Sequence, residues 1–138
     1  MGELLLRKAL ACRHRIEKIR SALPSDPIQI LADERLEAFI AFNIFLLVQD
    51  SIDLAAHLTA ARGLDVPGSH RETFEALAKA NLISRETSSA MGQMAALRNR
   101  VAHGYGDLDP VRLVREAPTG LGVVAKFLDE LAAVLSQP

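Results

Sequence analysis

Between Ala38 and Val48 the chain reads Ala-Phe-Ile-Ala-Phe-Asn-Ile-Phe-Leu-Leu-Val, with Asn43 the one polar residue. On a helix, Phe39, Ile40, Phe42, Ile44, Phe45, Leu46, Leu47 and Val48 spread round the whole axis, so no side is left for water. A helix apolar all round needs neighbours all round. In a chain of 138 residues, a second copy of the same chain is a natural source of part of that cover, and the run predicts a homodimer. The run is far below the ~20 residues of a membrane span, and Arg7 and Lys8 interrupt Leu4-Leu5-Leu6 before a leader core forms. No membrane contact is expected, and the expected location is cytoplasmic.

The rest of the pattern is helical too. Ala and Leu dominate the apolar content, aromatics are 4% and Trp is absent, which favours helices over strands. A first helix is predicted from about Gly2 to Leu23, with a seam of Leu5, Ala9, Cys12, Ile16, Ile19 and Leu23 at spacings of four and three. Pro24, Ser25, Asp26 and Pro27 break it. The long second helix is predicted from about Pro27 to Arg62, capped by Asp26 and stopped by Gly63. Pro67, Gly68 and Ser69 form a loop, and Ser69 with Glu72 has capping-box spacing for a short helix ending near Ala80. Ser84 caps a fourth helix that runs to about Ala102 and ends among Gly104 and Gly106. Asp109 and Pro110 open a last segment to about Ser136, which Pro118 and Gly120 are expected to kink or split. The expectation is a single all-α domain over residues 1–138, a bundle of four to five helices.

Chemistry concentrates where the fourth helix ends, in Leu97-Arg98-Asn99-Arg100-Val101-Ala102-His103-Gly104-Tyr105. Asn99 and His103 are four apart and share a face. Arg98 is offset round the axis, with a side chain long enough to swing toward the same pocket. A histidine passes protons near neutral pH, and an arginine holds a phosphate oxygen through paired hydrogen bonds. Together they suit phosphodiester cleavage in RNA, where the 2′-hydroxyl is an internal nucleophile and no metal or other cofactor is required. One histidine is little for two proton transfers, so the chemistry favours two such motifs facing each other. Spacing alone favours the plainer alternative, dipole complementation and capping in the last turn of a helix.

The segment resembles the Arg-x4-His-x-Tyr motif of HEPN-domain ribonucleases, in the version found in HepT-like toxins, where Asn after the Arg is usual. Asp33-Glu34-Arg35-Leu36, the run from Asn43 to Gln49-Asp50, Asp53 and His57 resemble that family's second helix. Arg71-Glu72-Thr73-Phe74, Leu77 and Asn81-Leu82-Ile83 resemble its third helix and turn, so the similarity spans nearly the whole chain. The resemblance implies a HEPN-type bundle, homodimeric, with the motif helices lining a shared cleft. It implies a metal-independent endoribonuclease acting on mRNA or tRNA, the toxin of a pair whose antitoxin is an MNT-type nucleotidyltransferase. By similarity, His103 is the acid/base group, Arg98 the phosphate holder and Asn99 their support. Tyr105, the one Tyr of the chain, matches the tyrosine that such a partner modifies with AMP. The alternative is a catalytically weak HEPN module that docks a nucleotidyltransferase.

Other polar groups are open to two readings. Asn43, Asp50 and His57 are seven apart on one stripe, with Asp53 beside Asp50. They either wall the cleft, with Asp50 or Asp53 supporting His103 or Arg98, or fix helix register from inside the core. Arg100 is a further supporting candidate. A metal site built from Asp50, Asp53 and His57 is not expected. The basic residues of the first helix, among them Arg7, Arg13, Arg15 and Arg20, form either an RNA-binding rim or a solvated face. The net charge of −1 excludes a general basic coat, and Cys12, the single cysteine, excludes an intrachain disulfide and belongs to the core seam.

Overall fold

The computed structural model describes residues 2–65 and 68–135. Pro67 and Ser136, expected in a loop and at the end of the last helix, lie outside the described residues. The elements in order are α1 (Gly2–Ala22), a 3-10 turn (Pro27–Ala32), α2 (Glu34–Ala61), α3 (His70–Lys79), α4 (Arg85–Gly104), a second short turn (Tyr105–Asp107) and α5 (Pro110–Leu135). The described residues contain no strand.

α2 is the central helix and packs against α1, α3, α4 and α5. Its Ile40, Leu47, Val48, Leu54 and Ala55 are fully buried, and Phe39 and Phe42 are exposed. α2 is long and apolar enough to cross a bilayer, with a mean hydropathy of 1.6, yet 56% of that apolar window is buried against the rest of the chain. α1 runs antiparallel to it, with Cys12 opposite Ser51 and Arg15 opposite Asn43. The seam on α1 is as the spacing predicts: Leu5, Ala9, Cys12, Ile16 and Ile19 are buried and Leu23 is partly so. Burial pushes the Cys12 thiol up to about 11, so at neutral pH it is a protonated core side chain.

Two boundaries differ from expectation. α2 does not start at Pro27. Asp26 accepts from the Ile28 amide at 3.2 Å and opens only the short turn, whose Ile30 is buried. Asp33 then leaves helical geometry (φ −138°, ψ 85°) and accepts from the Leu36 amide at 3.0 Å, so it is the true N-cap. The last segment is not split. α5 is continuous through Pro118, because Leu113, Val114, Ala117, Leu121 and Val124 form one buried face while Pro118 projects on the exposed side. Gly120 has a different use: a Cβ there would stand 3.2 Å from Met94 Cε, so it lets α5 approach α4.

At the other end of that antiparallel pair, α5 is latched to the start of α4. The Ser84 amide donates to Glu130 Oε1 at 2.6 Å, and the Thr87 hydroxyl donates to Glu130 Oε2. Partial burial works to raise the Glu130 pKa, but the Thr87 and Ser84 hydrogen bonds, helped by Lys126, leave it below the ordinary glutamate value. A carboxylate lowered on folding stabilises fully above its unfolded value near 4.3, and the contribution is lost as pH falls through the folded value. Glu130→Gln is therefore expected to lose stability at neutral pH, a loss that shrinks as pH falls below the unfolded glutamate value, measured as urea unfolding at neutral and acid pH.

Candidate functional site

α4 carries the motif on its last two turns. It extends to Gly104, two residues beyond the expected end, so Arg98, Asn99, Arg100 and His103 are all helical. The turn Tyr105–Asp107 follows, and Asp109 restarts helical structure by accepting from the Val111 and Arg112 amides at 3.1 and 3.2 Å. This hairpin puts the C-terminal turns of α4 beside the first turns of α5. At 100° per residue, Asn99 and His103 stand about 40° apart round the axis, and Arg98 and His103 about 140° apart.

The two directions lead to different surroundings. Asn99, Arg100 and His103 line a groove of about 1000 Å³ between α4 and α5. Ile44 and Leu47 of α2 contribute to its lining, together with Leu97 and Met94 of α4 and Leu113 of α5. His103 is exposed there. Arg98 instead turns toward α2. Its Cζ lies 5.0 Å from the centroid of the Phe45 ring, and its Nη1 donates to Asn99 Oδ1 at 2.9 Å. Its Nε is buried with no hydrogen-bond partner. The Phe45 ring stacks in turn with Phe42, centroids 6.5 Å apart and planes 14° from parallel.

Asn99 thus joins the two halves: its side chain holds Arg98 and its position faces the groove with His103. Tyr105 opens the turn directly after the motif, and its phenol lies outside the described side chains. The residue that sequence reasoning missed is Phe45. It is one apolar position among many in α2, and its partner on α4 is far along the chain, so no local pattern marks it.

The polar stripe of α2 faces away from the motif: Asn43 and Asp50 meet α1, and Asp53 and His57 bond within α2. Asn43 is buried, accepting from Arg15 Nη1 at 2.8 Å and donating to the Phe39 carbonyl at 2.8 Å. Asp50 lies 3.7 Å from Arg15 Nε, and Asp53 accepts from Gln49 Nε2 at 3.1 Å. His57 turns back on its own helix, its Nδ1 2.8 Å from the Asp53 carbonyl. Among the described residues no group of three His, Cys, Asp or Glu is placed to hold a metal ion. The arginines of α1 are largely spoken for: Arg7 pairs with Glu3, Arg13 with Asp129 and Arg20 with Glu17.

Partial burial raises the Asp50 pKa above the ordinary aspartate value, and the nearby Arg15 guanidinium opposes that rise. Asp53 pushes in the same direction as burial and Lys8 in the same direction as Arg15. Arg15→Met is expected to move the Asp50 titration further up, read by carboxyl-carbon NMR. For a carboxylate raised on folding, stability is full below the unfolded value and declines as pH rises through the folded one. The variant should accordingly lose more stability than the wild type between pH ~4 and pH ~7.

Comparison with known proteins points one way. Residues 12–131 match the model of the ribonuclease HepT-like family. The mRNA nuclease HepT of Shewanella oneidensis is 27% identical over 133 residues, which cover 96% of this chain and 99% of the relative. The tri-AMPylated Shewanella oneidensis HEPN toxin, solved in complex with its MNT antitoxin, superposes with a TM-score of 0.86 at 27% identity, over 96% of this chain and 99% of that one. A toxin–antitoxin structure with AMP-PNP also gives 0.86, at 26% identity, over 95% of this chain and 98% of that one. YutE from Bacillus subtilis, at 15% identity and a TM-score of 0.83 over 96% of this chain and 89% of its own, shares the fold.

Proposed function

Because the chain belongs to the ribonuclease HepT-like family, we propose that it is an endoribonuclease and the toxin of a toxin–antitoxin pair, one HEPN domain acting in the cytoplasm on mRNA or tRNA. The proposed site is a cleft shared by two copies of the chain. The 2′-hydroxyl attacks the adjacent phosphorus, the 5′-oxygen leaves, and a cyclic phosphate end results. His103 moves the protons, Arg98 stabilises the charged phosphorane, and Asn99 holds Arg98. Arg100, exposed on the groove wall, adds positive charge for the RNA backbone. These residues supply proton transfer and charge stabilisation between them, so the proposed step calls on no metal.

The divergence of Arg98 and His103 carries the reading of a shared cleft. One faces Phe45 of α2 and the other the groove between α4 and α5, so one chain offers each group on a separate wall. A two-fold interface presents both walls twice. The exposed Phe39 and Phe42, with Phe45 beside them, give such an interface an apolar surface next to the motif. The partner is proposed to be an MNT-type nucleotidyltransferase. In the Shewanella oneidensis complex the toxin is AMPylated and bound to its MNT antitoxin. Tyr105 is the proposed acceptor here: its hydroxyl attacks the α-phosphorus of ATP and pyrophosphate leaves.

Cleavage of total RNA by purified protein is expected to fall about 100-fold or more in both Arg98→Ala and His103→Ala. Cleavage equal to wild type in the two variants overturns the assignment. Incubation with the nucleotidyltransferase and ATP is expected to AMPylate Tyr105, read by mass spectrometry of the tryptic peptide. Absence of the adduct rules out this form of control.

A further inference from the structure

The geometry points to Phe45 as a positioning residue for Arg98: the face of its ring is the platform on which the guanidinium lies, aimed and ready before RNA arrives. This rests on the reading of Arg98 as the phosphate-holding group.

Three observations converge. The Arg98 Cζ stands 5.0 Å from the Phe45 centroid, within the range where a guanidinium is attracted to the negative face of an aromatic ring. Arg98 Nε is buried and without a hydrogen-bond partner, a state that costs free energy unless the cation finds another interaction. The ring face supplies it. Arg98 Nη1 is held by Asn99 Oδ1 at 2.9 Å, so the head group is fixed from two sides. The Phe42 ring lies near-parallel beside Phe45, centroids 6.5 Å apart.

The arrangement matches what a phosphate-binding arginine needs. Stacking engages the face of the guanidinium, whereas a phosphate is bound in its plane by the N–H edge. A carboxylate in the same place would hold the cation but compete for that edge with the RNA. An apolar ring orients it without competing. The side chain is also spared part of the entropy it would lose on ordering when substrate binds.

Phe45→Leu keeps the residue apolar and removes the ring, and Phe45→Tyr keeps the ring. Under single-turnover conditions, Phe45→Leu is expected to cleave RNA about tenfold more slowly at saturating RNA, and Phe45→Tyr to stay within about twofold of wild type. The second readout is independent of activity. The Arg98 Nε–H resonance, assigned by its loss in Arg98→Lys, should show an aromatic ring-current displacement in wild type and Phe45→Tyr and lose it in Phe45→Leu. Light scattering and thermal melting of each variant establish that fold and oligomeric state are kept. Wild-type cleavage by Phe45→Leu, with Arg98→Ala inactive, overturns the platform while leaving Arg98 in its role. An unchanged Nε–H resonance in Phe45→Leu overturns it as well. Wild-type cleavage by Arg98→Ala overturns the functional reading itself, whatever the resonance does.

Discussion

The structure is organised by the need to cover one helix. α2 is apolar on nearly every side, and four other helices are laid against it. Each meets the same demand differently. α1 brings a narrow seam of small and branched side chains, while α5 brings a continuous buried face strong enough to carry a proline through its middle. One strip of α2 stays open, marked by Phe39 and Phe42 at 39% and 59% exposure. The motif of α4 borders that strip. The central helix is therefore both the core of the fold and the floor of the proposed site.

Polar groups on α2 are sorted by this same demand. A polar side chain inside the bundle has to be hydrogen-bonded where it lies. Arg15 reaches across from α1 to Asn43 and Asp50, which fixes how the two helices slide past each other. These groups are committed to register. The strip toward α4 carries rings instead, and its contact with the motif is a cation over an aromatic face. Assigning charge–charge pairing to one side of α2 and cation–ring contact to the other leaves Arg98 held by a ring and an amide rather than by a carboxylate.

The helical class, the bundle and the motif were legible because each rests on local pattern: spacing of apolar positions, caps and glycine stops. Ser69 and Glu72 illustrate this, since the Ser69 hydroxyl caps the Glu72 amide at 3.2 Å as their spacing predicts. The start of α2 was misplaced because Asp26 and Asp33 are both good caps seven residues apart, and only tertiary placement of Ile30 decides between them. Pro118 does not end the helix for a related reason: the penalty of a proline is local, whereas the burial that offsets it is spread along α5. For the site, Arg98, Asn99 and His103 were readable as a cluster, but their orientation was not. Which way Arg98 turns depends on a ring brought beside it by the packing of α2 on α4, and sequence spacing on α4 carries no trace of that.

The electrostatic character of the chain follows from where its arginines are committed. A net charge of −1 gives no general attraction for RNA. α1 looks basic in sequence, yet its Arg7, Arg13, Arg15 and Arg20 each face an acidic side chain. Each such pair cancels much of the field it would project beyond a Debye length of about 8 Å. At the end of α4 the balance is different, since Arg98 rests on a neutral ring and a neutral amide. Its charge remains uncompensated by the contacts that hold it. The proposed RNA binding by so weakly charged a chain rests on local positive charge beside Arg98 and Arg100 rather than on its whole surface. In the proposed two-copy cleft, two such arginines would double that local charge without altering the near-neutral total of each chain.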